Sequence, residues 1–266
     1  MSRIDALFSG IGRPACIAYL TGGDPDPATS LAALRSVVDA GADIIEIGVP
    51  FTDPIADGPT IRRANARALA AGTTPDRIFD LVRAVREGSP IPIVLMTAYN
   101  IVYVRGIDRF YREAAEAGAD GVIIPDMPPE ESGAAGAAAR RYGLDQVFLV
   151  APNTPEERLD PILEHASGFL YLVSVQGVTG ARAGLPPGME GRIAAMQSRT
   201  FLPIAVGFGI SGPDQARALA AAGADGVIVG SAIVEIVERH GGDRAAMCAE
   251  LKSFVAVMRE AVGDRA

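Results

Sequence analysis

The chain has 266 residues, 49% hydrophobic, 21% charged and 6% aromatic, with no tryptophan. Such a length and composition support a large buried core and exclude a disordered chain. Lys and Arg number 24 against 32 Asp and Glu, a formal net charge of −8, which argues against nucleic-acid binding because that needs a basic face.

The amino-terminal stretch lacks the charged, apolar and small-residue order of a signal peptide, and no apolar run reaches the roughly 20 residues of a membrane span. Cys16 and Cys248 lie far apart with no metal-ligand spacing. The expectation is a reduced, cytoplasmic protein with neither membrane nor nucleic-acid partners.

In chain order, the first buried strand is CIAYLT (16–21), followed by a helix over 28–40. That helix runs into DAGADIIEIGV (39–49), the second strand, then a long proline-stiffened loop over 50–59. A helix over 75–87 leads to IPIVLMT (91–97), and one over 107–117 to EAGADGVIIPD (116–126). Next come a helix over 129–142, the strand QVFLVAP (146–152), a helix over 155–165 opened by Asn153-Thr154-Pro155, and FLYLVS (169–174). A helix over 188–199 precedes PIAVGFG (203–209), and Ser211-Gly212-Pro213 opens a helix over 213–222. The chain then reads AAGADGVIVGS (221–231) and ends in a helix over 243–262.

Segments 39–49, 116–126 and 221–231 align without gaps. Each closes a helix in Ala-Gly, where glycine supplies a left-handed stop, and then enters a β-branched run typical of a strand buried on both faces. Eight such strands alternating with helices predict a parallel sheet closed into a single (βα)8 TIM barrel that occupies residues 1–266 as one domain. The alternative is an open doubly wound sheet.

In a barrel of this kind the working residues sit at the carboxyl ends of the strands. Alternation in strand 2 places Ile45, Ile47 and Val49 against the helices and Glu46 toward the axis. A carboxylate there is expensive unless used or paired, so Glu46 is either a proton donor with a raised pKa or half of an internal salt bridge. The following loop carries Asp53 and Asp57, turn residues or a second functional carboxylate.

Gly177-Val178-Thr179-Gly180, Gly207-Phe208-Gly209-Ile210-Ser211 and Gly230-Ser231 follow strands 6, 7 and 8. With a short helix opening at Ser231, they make a phosphate site of backbone N–H groups and a helix N-terminus. Lys252, in the last helix, is the single lysine, which disfavours a Schiff base. His165 and His240 fall near helix ends, so no histidine set is available for a catalytic metal.

The run from Ile45 through Thr60 resembles the signature of tryptophan synthase alpha subunits. The resemblance extends to Leu20–Pro25, Pro125–Ser132, Tyr171–Gly180, Gly207–Ser211 and Val229–Ile233, nearly the whole chain. It implies a lyase that cleaves indole-3-glycerol phosphate to indole and glyceraldehyde 3-phosphate. By that resemblance Glu46 shuttles the proton, Asp57 holds the indole N–H, and Tyr171 positions Glu46. Thr179 belongs to a closing loop, and Gly180, Gly209, Gly230 and Ser231 hold phosphate. Tyr19, Ile61, Met96, Ile123 and Phe208 form the indole slot, with plain core packing as the alternative for each. It further implies an α2β2 heterotetramer with a beta subunit that carries pyridoxal phosphate, this chain holding no cofactor, and docking through Asp53, Pro54 and Pro128. The rival readings are another phosphate-binding barrel, a free-standing lyase with the same site, and a catalytically silent barrel that only activates its partner.

Overall fold

Eight parallel strands hydrogen-bond in chain order and close on themselves. They are β1 (Ala15–Thr21), β2 (Ile44–Gly48), β3 (Ile93–Met96), β4 (Gly121–Ile123), β5 (Asp145–Val150), β6 (Leu170–Val173), β7 (Ile204–Gly207) and β8 (Gly226–Val229). The structure, a computed structural model, describes residues 1–54, 57–151, 154–173, 187–207, 209–240 and 242–263. The closed (βα)8 barrel expected from the repeat is therefore what forms, and the open sheet is not.

Around and beneath it lie α1 (Arg3–Gly10), α2 (Pro27–Asp39), α3 (Pro59–Ala70), α4 (Pro75–Arg86), α5 (Tyr99–Arg105) and α6 (Ile107–Ala117). The second half adds α7 (Gly133–Tyr142), α8 (Glu156–His165), α9 (Met189–Gln197), α10 (Pro213–Ala221), α11 (Ser231–Arg239) and α12 (Arg244–Val262). The helices α1, α3 and α5 were not anticipated. The expected helix over 129–142 is in fact a 3-10 turn at Pro129–Glu131 followed by α7, and Ser132 Oγ donates to the Pro129 carbonyl at 2.7 Å across the break.

Two apolar layers account for the packing. Ile45, Ile47 and Val49 join the layer between strands and helices. Ile17, Ile44, Val94, Ile123, Val147 and Phe169 fill the barrel interior, as period-2 alternation requires. Helix α1, started by a reciprocal Ser2–Asp5 capping box, plugs the amino-terminal end of the barrel. Its Ile4 is buried in the interior layer and the Phe8 ring lies 6.0 Å from that of Phe169.

The Gly-Ala-Asp repeat does more than stop helices. Gly41, Gly118 and Gly223 all take positive φ, between 91° and 100°, at the helix exits. The aspartate that follows then closes a reciprocal pair with the preceding strand. Asp43 N–H donates to the Cys16 carbonyl while its carboxylate accepts from Cys16 N–H at 2.8 Å. Asp120 makes the same pair with Ile93 at 2.8 Å, and Asp225 with Ile204 at 2.9 Å. At the fourth such place Ser167 substitutes its hydroxyl, paired with Gln146 at 2.9 Å. Thus every even-numbered strand is tied at its entry to the odd-numbered strand before it, satisfying backbone groups that burial would otherwise orphan.

Candidate active site

Glu46 lies in the middle of β2, in register with Tyr19 of β1 and Val94 of β3, and is only 1% exposed. Neither of its carboxylate oxygens has a hydrogen-bond partner, and no cation pairs with it, among the described residues. The salt-bridge alternative thus fails. Burial first, and the nearby Asp57 charge second, push its pKa up to about 8. Near neutral pH Glu46 holds its proton, the state a general acid needs.

Asp57 stands just before α3, whose first helical residue, Pro59, has its φ preset for the turn. Burial raises its pKa, while a hydrogen bond from Asn65 and the charge of Arg62 pull it back. The Asn65 Nδ2 donates to Asp57 Oδ2 at 2.9 Å. Asn65 is buried on α3, on the same face as Ile61 and Ala64. Nothing in the sequence reading singled it out. The available signal was its place one turn after Ile61 on a helix opened by Pro59.

Tyr19 on β1 and Tyr171 on β6 both line the carboxyl-terminal mouth of the barrel. Burial drives both phenols well above their ordinary pKa. Each ring leans over a glycine of the next strand: a Cβ on Gly48 would meet the Tyr19 hydroxyl at 2.3 Å, and one on Gly207 the Tyr171 hydroxyl at 2.4 Å.

Two adjoining cavities of about 140 and 60 Å³ occupy the carboxyl-terminal mouth. The smaller is lined by Glu46, Asp57, Tyr19, Ile61 and Tyr171 together with Gly209, Gly230 and Ser231. The larger shares Tyr19, Asp57 and Met96 and extends past Asn65 and Ala98 to Asp53, Pro54 and Asp126. Helix α11 does begin at Ser231, with Gly230 as its cap, so its first N–H groups and positive dipole end border the smaller cavity. A protonated carboxyl, a second carboxyl and a helix N-terminus therefore share one cavity.

Among the expected slot residues, Tyr19, Ile61 and Met96 line these cavities. Ile123 does not; it is fully buried in the interior layer beneath. Thr179, Gly180 and Phe208 lie outside the described residues. Asp53 is exposed, and Pro54 and Pro128 are half-buried. Lys252 is on α12 and pairs with Asp39 at 2.9 Å, while His165 ends α8 and His240 follows α11, paired with Glu250. Among the described residues no group of three or more His, Cys, Asp or Glu is arranged to hold a metal ion.

Helix α3 is strapped to α11 from outside the cavity. Thr60 donates to Glu235 at 3.1 Å, Arg63 forks onto Glu238 at 2.8 Å, and Arg67 reaches Glu238 at 2.7 Å. Arg67 also forks onto the buried Asp24 after β1, with both bonds at 2.8 Å.

Residues 8–263 match the family model described as tryptophan synthase alpha chain. The chain belongs to that family. It is 53% identical to the tryptophan synthase alpha chain of Methanoregula boonei over 98% of both chains, and 48% identical to that of Geobacter sulfurreducens over 99% of this chain and all of the relative. Among solved structures, tryptophan synthase subunit alpha from Legionella pneumophila superposes with a TM-score of 0.91 at 33% identity, covering both chains completely. The tryptophan synthase complex from Pyrococcus furiosus gives 0.84 at 39% identity over 92% of this chain and 98% of that one. Family membership makes the chain a lyase of tryptophan biosynthesis. Among the described residues no helix is long and apolar enough to cross a membrane.

Proposed function

We propose that the chain, acting as one catalytic domain over residues 1–266, cleaves indole-3-glycerol phosphate to indole and glyceraldehyde 3-phosphate. The observation that carries this reading is Glu46: a fully buried carboxyl without a hydrogen-bond partner among the described residues, its pKa raised to about 8, facing the same cavity as Asp57. In the ground state Glu46 delivers its proton to the indole ring carbon that bears the glycerol chain. The ring becomes an iminium, stabilised where Asp57 accepts the ring N–H. Glu46, now a carboxylate, takes the proton of the adjacent glycerol hydroxyl. That oxygen's electron pair forms the aldehyde carbonyl, the carbon–carbon bond breaks, and its electrons restore the neutral indole. Glu46 ends protonated, as it began.

Tyr171, on the same cavity wall, limits the freedom of Glu46. Gly209, Gly230 and Ser231 receive the phosphate at the α11 N-terminus, with Gly180 added from the strand-6 loop. Tyr19, Ile61 and Met96 hold the indole, with Phe208 beside them, and Thr179 contributes to closure of the site. The chemistry draws on carboxyls and backbone dipoles and asks no cofactor of this chain. Its setting is the cytoplasm.

The partner we propose is a tryptophan synthase beta subunit, in an α2β2 assembly whose pyridoxal phosphate the beta subunit holds. The rim at Asp53, Pro54 and Pro128 is its docking surface.

The test is release of glyceraldehyde 3-phosphate from indole-3-glycerol phosphate by wild type and Glu46→Gln, each with and without a beta subunit. Release by the wild type, lost in Glu46→Gln and increased by the partner, is the expected result. No release from the wild type even with a partner would sink the lyase reading and favour a silent activating barrel.

A further inference from the structure

We propose that Asn65 is a positioning residue for Asp57, its side-chain amide holding one carboxylate oxygen so that the other is presented to the substrate's ring N–H. The proposal rests on the reading of Asp57 as the group that accepts that N–H.

The loop that carries Asp57 supplies little to orient it. Its own N–H makes a long 3.4 Å bond to the Pro54 carbonyl, and among the described residues the one hydrogen bond to its carboxylate comes from Asn65, at 2.9 Å. Arg62 acts on it through charge without a hydrogen bond among the described contacts. The anchor itself is firm. Asn65 is buried, and its helix is held from the other side by Arg63 and Arg67 on Glu238, by Arg67 on Asp24 and by Thr60 on Glu235. The Asp57 carboxylate is thus tied to a helix fastened to its neighbours.

The chemistry of the anchor matters as much as its place. An amide N–H donates without carrying charge. A lysine or arginine at this point would fix the same oxygen but neutralise the anion that has to stabilise a developing cation. An apolar residue would leave the charge intact and the geometry loose. Asparagine does both jobs, and it also favours the ionised form of Asp57 against the burial that opposes it. Misplacement of a single group by about 1 Å suffices to slow an enzyme up to a hundredfold.

Two variants and two readouts test this. Asn65→Leu keeps the volume and removes the donor; Asn65→Asp keeps the shape and replaces the donor with a like charge. Each is measured for kcat and KM, and the Asp57 carboxyl is titrated in the free protein by carbon NMR with labelled aspartate, the signal assigned with Asp57→Asn. The expected result in both is a fall in kcat of about 10- to 100-fold with KM within about threefold and an Asp57 titration moved to higher pH, in variants that remain folded by circular dichroism. An Asp57 titration unchanged in Asn65→Leu, or a kcat within about threefold of wild type, would overturn the proposal. Should the wild type release no product, the lyase reading fails, while the Asp57 titration still decides whether Asn65 sets the state of that carboxyl.

Discussion

The Tyr19 hydroxyl occupies the space that a side chain on Gly48 would need, since a Cβ there would lie 2.3 Å from it. Gly48 follows Glu46 by two residues on β2, so both point into the same mouth, and the tyrosine ring roofs one while flanking the other. Gly48→Ala should push Tyr19 into the cavity and lower kcat/KM at least about tenfold, with a loss of stability of about 1–3 kcal/mol. Tyr19→Phe removes the nearest clashing atom but leaves the ring carbon at 2.9 Å, so Tyr19→Phe/Gly48→Ala should recover part of the loss. A double-mutant cycle of steady-state kinetics measures the coupling, and strict additivity of the two effects would contradict it.

Glu46 should make the protein less stable as pH rises. In the folded chain it keeps its proton up to about pH 8, whereas an unfolded glutamate loses it near 4.5. Between those values the folded state binds more protons, so unfolding becomes easier with increasing pH. Glu46→Gln carries no such penalty. Its melting temperature should exceed that of wild type, slightly at pH 5 and more at pH 8, with a gain on the order of a few kcal/mol at the upper end. Thermal melts across that range check it; a gap that shrinks with pH would show the sign to be wrong.

Activity should follow the same proton. In the proposed reaction Glu46 starts protonated and Asp57 ionised, so kcat/KM is expected to be bell-shaped, with an alkaline limb near pH 8 set by Glu46. The acidic limb belongs to Asp57, whose pKa burial raises above the ordinary aspartate value. A pH profile still rising at pH 9 would remove Glu46 from the role of acid.

Asp120 should matter for folding and not for chemistry. It accepts from Ile93 N–H at 2.8 Å, from Arg86 at 2.6 Å and from Arg3 at 2.7 Å, with its side chain 4% exposed at the entry of β4. Asp120→Ala leaves a buried N–H and the partly buried Arg86 without their acceptor, a loss of about 3–5 kcal/mol. Urea unfolding should show that decrease, with KM unchanged in the folded fraction. The exposed pair Arg217–Asp214 is a suitable control, since breaking it should cost less than about 1 kcal/mol.

Much of this architecture is written along the chain. Glu46 faces the axis because its neighbours Ile45 and Ile47 are apolar and side chains alternate in a strand. The Ala-Gly-Ala-Asp repeat marks three strand entries because glycine is needed where the helix leaves, and helix α11 opens at Ser231 as its glycine and serine suggest. What escaped were short elements or ones with a small or polar inner face; α1 turns Ile4, Leu7 and Phe8 inward but has only eight residues. Helix α3 buries Ala64, Asn65 and Ala68, residues with no apolar stripe to announce them, and α5 spans just Tyr99–Arg105.

The sequence by itself determined the number of strands, their buried character and, in β2, which side chains point inward, because these follow from local periodicity and backbone propensity. Tertiary structure alone decided that Asn65 holds Asp57, that Asp43 returns to Cys16, that Tyr19 and Tyr171 require glycines beside them, and that Glu46 stays protonated near neutral pH. Each of these joins groups from separate elements or depends on how completely water is excluded. Hydrogen-bond geometry and desolvation belong to the closed barrel, and no stretch of chain expresses them before it closes.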